Sequence, residues 1–239
     1  MWGATMGSTE LVWHRANRET DLAASLESGV RWVECDARLD PAGTVRVSHE
    51  PMRAGTGCME LTDWLAAIHD GERSAKIDLK EGGPVIEASL SAVARVRLRD
   101  EDLWFNAAVE ILDGERGFGR LATAHPGARL SCPLDTLASY LMVAPPARQI
   151  VDLLRVWGLN WLCFGLRATG VASLVPSLQE RGWLINVWDV AAAGELERGL
   201  RLQPDAITAD LGSIARDALV SSDRLRVDSR HGSDRVQAL

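Results

Sequence analysis

Lysine is nearly missing from this chain of 239 residues. Of its 26 basic residues only Lys76 and Lys80 are lysines, and the rest are arginine. An arginine excess of that kind reads first as the imprint of a GC-rich genome. Against it Lys80 stands out, because a compact ammonium serves as a point charge at a phosphate site, a role a planar guanidinium fills differently. Cysteine is scarce as well. Cys35, Cys58, Cys132 and Cys163 stand far apart with no C-x-x-C, which argues against a zinc site and for reduced, packed thiols. No apolar run reaches the ~18 residues of a membrane-spanning helix, and Met1–Glu10 carry no apolar signal stretch, so a cytoplasmic protein with no stable membrane insertion is expected. A net charge of −7 argues against the broad basic face that nucleic acid requires.

What the chain does contain is a regular alternation. Apolar β-type runs recur from end to end with helical patterns between them, which is the signature of βα units and a parallel sheet. The strands are expected near Leu11–His14, Arg31–Asp36, Ala75–Lys80, Leu103–Asn106, Ala128–Ser131, Trp161–Leu166, Trp183–Trp188 and Ala206–Thr208. Eight such units close a single-domain (β/α)8 TIM barrel of α/β class, and both the length and the 46% apolar share suit one large core. Amphipathic helices are expected over Thr20–Ser28, ending at Gly29, over Leu61–His69 with Thr62 as cap, and over Val85–Arg95, Arg148–Trp157 and Ala172–Arg181. An extra strand, Thr44–Ser48, follows the Asp40–Gly43 turn. The barrel is assigned to residues 1–220. Residues 221–239, rich in Ser, Asp and Arg, are read as a partly disordered tail or a strap across the barrel bottom.

Four polar clusters each cap an apolar run: His14-Arg15, Glu34-x-Asp36, His49-Glu50 and Asp78-x-Lys80. Strand side chains alternate with period 2, so Glu34 and Asp36 share one face and Asp78 shares its face with Lys80. In a parallel barrel the active site lies at the C-terminal ends of the strands, where every one of these clusters falls. Glu34, Asp36 and Asp78 offer hard oxygen donors only, which favours Mg²⁺ or Ca²⁺ as the cofactor. An E-x-D or a histidine alone is weak evidence; the ordered set of four is specific. Nine tryptophans fill much of the core, and Trp104, Trp161, Trp183 and Trp188 are expected to form an aromatic lining above the metal. His69 and His125 fall at the opposite end and are read as structural.

This order of residues resembles the glycerophosphodiester phosphodiesterase-like barrels, whose pattern runs H-R, E-x-D, H-D, E-x-K. It is more closely similar to the menorin branch of that superfamily. The matching stretches are His14 with Asn17, Glu34 and Asp36, His49 with Pro51, Asp63-Trp64-Leu65, Lys76-Ile77-Asp78-Leu79-Lys80, Trp104-Phe105-Asn106-Ala107, Leu130-Ser131, Leu166-Arg167-Ala168 and Val187-Trp188. The resemblance implies a metal-dependent phosphodiesterase-like enzyme for a glycerophosphodiester or related small phosphodiester. In it His14 and His49 are general acid and base, in either order, and Lys80 holds the phosphate with Arg15 and Arg167. Asn106 and Trp188 are its candidate substrate contacts, and Asp210 resembles the terminal acidic residue of the phosphodiesterases. The departures are Glu50, Ala108 and Cys132-Pro133. They keep open an inactive binding barrel; a lyase forming a cyclic phosphate, as in related lyases of the same fold, and a metal-assisted enolising lyase or epimerase, which a carboxylate-held cation with His or Lys bases also suits, are the alternative activities. The loop Glu50–Glu60 is short, which implies an open pocket.

Overall fold

The computed structural model describes residues 9–53, 57–143 and 145–217; the tail assigned to 221–239 lies outside them. Among the described residues the strands are β1 (Glu10–Trp13), β2 (Trp32–Leu39), β3 (Val45–Val47), β4 (Ser74–Leu79), β5 (Leu103–Asn106), β6 (Arg129–Pro133), β7 (Trp161–Gly165), β8 (Leu184–Val190) and β9 (Ala206–Ala209). All but β3 run parallel. Because β1 pairs with both β9 and β2, the eight parallel strands close on themselves as a (β/α)8 barrel. β3 pairs antiparallel with the outer end of β2, Ala37 opposite Val47 and Leu39 opposite Val45. That partner is why β2 continues to Leu39, beyond the Asp36 end expected from its apolar run.

Helices lie between the strands: α1 (Glu19–Glu27), α2 (Leu61–Asp70), α3 (Pro84–Val96), α4 (Glu115–Ala124), α5 (Ala138–Val143), α6 (Pro145–Val156), α7 (Val171–Gln179) and α8 (Ala193–Arg201). On α2 the buried residues Leu61, Trp64, Leu65 and Ile68 recur at the spacing of one helical face, which seals β2–β4 from outside. Its cap position is Glu60, one turn edge earlier than the expected Thr62. α4 and α8 escape a periodicity search because their apolar faces are short; α4 buries only Phe118 and Leu121 besides Gly117, and α8 only Gly199.

The N-terminal end of the barrel is plugged by aromatics. Val12, Trp32, Trp104, Trp161 and Ala206 form a separate buried cluster, with Trp32 and Trp104 edge to face at 5.6 Å and Trp104 and Trp161 at 4.6 Å between ring centroids. The Arg129 guanidinium lies 4.2, 5.3 and 4.7 Å from the three ring centroids and pairs with Glu10. The expected aromatic lining above the metal is therefore corrected. Trp104 sits two residues before the end of β5 and Trp161 opens β7, so both project into the closed end, and Trp183 is buried before β8 under Arg155. Trp188 alone of the four borders the central cavity. Trp104 is fully buried, so Trp104→Ala should lower the unfolding free energy by about 3–5 kcal/mol in urea denaturation. A loss below about 1 kcal/mol would show that the plug is not a packed layer.

Candidate active site

Strand register assembles the acidic cluster. Between β2 and β4, Glu34 lies opposite Lys76 and Asp36 opposite Asp78, and between β4 and β5 Asp78 lies opposite Asn106. Period-2 alternation sends all of these inward. One oxygen each from Glu34, Asp36 and Asp78 lies within 4.8 Å of the others. Each carboxylate is pinned by a different group. Arg15, in the left-handed backbone region at φ 56°, donates its N–H to Glu34 Oε2 at 2.6 Å. Asn17 donates to Asp36 Oδ2 at 2.6 Å and accepts the Asp36 N–H at 3.0 Å. Asn106 donates to Asp78 Oδ1 at 2.9 Å, and its own Oδ1 accepts from Ser131 at 2.7 Å. Lys80 reaches between two of the carboxylates, 2.8 Å from Asp36 Oδ1 and paired with Asp78 Oδ2.

The charges divide accordingly. Burial, then Asp36 and more weakly Asp78, raises Glu34 above the ordinary carboxyl range, against the opposing charges of His14 and Lys76. Burial also acts on Asp36, but Lys80 and the Asn17 bond outweigh it and hold its pKa down. Lys80 is likewise penalised by burial and then raised by Asp78 and Asp36. The cluster thus keeps one carboxyl prone to protonation beside others tied to a cation. All the donors are carboxylate oxygens, and the buried Asp36 Oδ1 has the Lys80 ammonium 2.8 Å away as its counter-charge. Such a set fits a hard divalent cation.

The two histidines are built differently. His14 follows β1, and its Nδ1 lies 2.5 Å from Asp210 Oδ1. A carboxylate accepts there, so Nδ1 carries the proton and Nε2 is the nitrogen left for exchange. Burial lowers the His14 pKa, but Glu34 and Asp210 outweigh it and leave it above its ordinary value. His49, beyond β3, is more exposed. Its Nε2 lies 3.0 Å from Arg15 Nη2 and its Nδ1 2.9 Å from Glu50 Oε1. A guanidinium cannot accept, so Nε2 does, and Nδ1–H points to Glu50.

A cavity of about 160 Å³ opens over this cluster. His14, Arg15, Glu34, Asp78, Lys80, Asn106 and Trp188 border it, while Asp36 stands behind them in the acidic cluster. His49 stands outside the wall and touches it through Arg15. Arg167 is placed elsewhere: its guanidinium, on the rim after β7, pairs with Asp189 at 2.8 Å and with Glu195, and does not border the cavity. The floor holds residues that the sequence left unassigned, namely Lys76, Cys163, Asn186 and Thr208. Parity was the available signal, since Lys76 lies two residues before Asp78 and Asn186 two before Trp188.

The closed (β/α)8 barrel fold is shared with solved glycerophosphodiester phosphodiesterase structures. One, from Parabacteroides distasonis, is 15% identical, with 91% of this chain and 99% of that chain covered at a TM-score of 0.68. Another, from Agrobacterium tumefaciens, is 17% identical over 84% and 95% at 0.62. A phosphodiesterase of Oleispira antarctica, solved in complex with the product sn-glycerol-3-phosphate, is 13% identical over 84% and 92% at 0.66. At such identities the likeness is one of fold. No family model and no curated protein matches the chain.

The His14–Asp210 pair makes a titration prediction. In NMR titration His14 should protonate above the ordinary histidine value, and Asp210→Asn should bring its midpoint down. Because the folded pKa is raised, the linked stability is complete below the ordinary histidine range and is lost as pH rises through the His14 midpoint. An unchanged midpoint in Asp210→Asn would sever the pair.

Proposed function

We propose that this protein is a metal-dependent phosphodiesterase-like enzyme that cleaves a glycerophosphodiester or related small phosphodiester. The observation carrying this reading is the three-carboxylate cluster with Lys80 and the Asp210-oriented His14 at the C-terminal rim, of which Glu34, Asp78, Lys80 and His14 border one cavity. Glu34, Asp36 and Asp78 would hold Mg²⁺ or Ca²⁺, which when bound offsets the charge of the phosphate oxygens. His14 exchanges a proton at Nε2 while Asp210 fixes its ring. His49 supplies the complementary transfer at Nε2 once Arg15 turns from it to the phosphate. Such general acid–base steps contribute ~10²- to 10⁴-fold each. Lys80 and Arg15 bind the phosphate anion through charge-assisted bonds. Asn106 positions Asp78, Trp188 forms the wall for the organic group, and Arg167 braces the rim through Asp189 and Glu195. Within the superfamily we place the chain nearest the menorin branch, on the Lys76–Lys80 strand. A cytoplasmic location is part of the same proposal; among the described residues no helix is long and apolar enough to cross a membrane.

Incubation of the purified protein with glycerophosphodiesters and Mg²⁺ or Ca²⁺, followed by phosphorus NMR of the products, tests the reading. A monoester indicates hydrolysis and a retained cyclic phosphate a lyase; no turnover of any diester rejects the enzyme. His14→Ala and His49→Ala should each reduce turnover by at least ~10²-fold with the melting temperature preserved. A histidine whose loss leaves the rate unchanged has no proton-transfer role. In calorimetry Asp36→Ala should abolish cation binding, whereas Lys80→Met should slow turnover and leave cation binding intact. Equal cation binding by Asp36→Ala and wild type would remove the metal site.

A further inference from the structure

The cavity floor is rich in donors. Lys76 is only 3% exposed, inward on β4 one pleat below Asp78. Its Nζ donates to Thr208 Oγ1 at 2.8 Å and stands 4.6 Å from the centroid of Trp104. No carboxylate comes within ion-pairing distance of it among the described residues. An ammonium has three N–H groups and no lone pair to offer, so Thr208 and the ring face leave it a donor in hand. Its neighbours cannot take that donor. Thr208 passes its own proton to Asn186 Oδ1 at 3.0 Å, Asn186 donates to Cys163 Sγ at 3.5 Å, and the Cys163 thiol donates to Asn106 Oδ1 at 3.5 Å. Each oxygen and sulfur of the floor already accepts a bond. The N–H groups left over are those of Lys76 and the second amide proton of Asn186, beside one remaining lone pair on Asn186 Oδ1.

We infer that this floor receives a carboxylate borne by the organic part of the substrate. The substrate is then an acidic phosphodiester, held by its phosphate at the rim and by its carboxylate at Lys76. The inference rests on the phosphodiesterase reading and refines it. A carboxylate brings acceptors only, which suits the spare N–H groups of the floor; the Lys76 ammonium feels Glu34, opposite it in the register, without a direct ion pair, so a carboxylate at contact distance adds a bond it lacks. A hydroxyl also accepts from Lys76 but brings no charge to pair with the ammonium. Glu34 and Asp78 border the same cavity and oppose a second anion; Lys80, Arg15 and the cation held by the carboxylates offset them.

Calorimetric binding of 3-phosphoglycerate and glycerol 3-phosphate in the presence of Mg²⁺ tests this, since the two differ in carrying a carboxylate or a hydroxymethyl group. Wild type should bind 3-phosphoglycerate at least about tenfold more tightly, as a charge-assisted bond implies. Lys76→Met should erase the preference while glycerol 3-phosphate binding moves by less than about threefold, the scale of one weak contact. If glycerol 3-phosphate binds wild type and 3-phosphoglycerate binds no better, the carboxylate site is wrong and the phosphate reading stands. A preference that survives in Lys76→Met also overturns it. Should Lys76→Met fail to fold, the wild-type comparison alone decides. If neither ligand binds wild type, both readings fall together.

Discussion

Everything at the rim depends on holding three carboxylates closer together than they would settle in water. Their mutual repulsion and desolvation oppose the fold, and the strand register is what enforces the arrangement. β2 and β4 place Asp36 beside Asp78 as a condition of their own hydrogen bonding, so the cluster cannot relax without breaking the sheet. Relief comes from chosen neighbours: Lys80 between Asp36 and Asp78, Asn17 on Asp36, Asn106 on Asp78 and the Arg15 amide on Glu34. The left-handed backbone of Arg15 belongs to this set. It turns the chain immediately after His14, so that one residue aims an amide at Glu34 while the preceding side chain meets Asp210.

The departures from the phosphodiesterase pattern acquire a physical meaning in this frame. Ala108 and Pro133 both border the cavity, so the wall after β5 and β6 is apolar and small where an acidic or bulky group would narrow it. Cys132, by contrast, is buried outside the cavity wall. The polar character lost from that wall reappears lower down, in Lys76, Cys163, Asn186 and Thr208.

The barrel and the acidic cluster were legible in the sequence because both follow from period-2 alternation at the ends of apolar runs. The eight parallel strands appear where those runs predicted them, with shifts of a few residues at Arg129–Pro133 and at the β3-supported end of β2. The tryptophans misled because composition says how many large side chains there are and nothing about depth; only the register places Trp104 and Trp161 below the cluster. Arg167 could be placed by motif on the rim but not in the cavity, since its direction is set by Asp189 and Glu195, residues with no local signal. Lys76 was hidden for the opposite reason. Its meaning lies in a partner, Thr208, 132 residues away.

The separation between His14 and Asp210 is longer still, at 196 residues. β1 is made first and acquires its β9 partner only when nearly the whole barrel exists. Closing the barrel therefore requires the β1 edge to meet a partner from nearly the far end of the described chain. Contacts of such high sequence separation are slow to close, and an unpaired edge is where chains associate wrongly. The same event that removes the edge delivers Asp210 to His14, so a nascent or truncated barrel has no oriented histidine. The His14–Asp210 contact is in this way tied to the β1–β9 seam that closes the barrel and to no local stretch of chain.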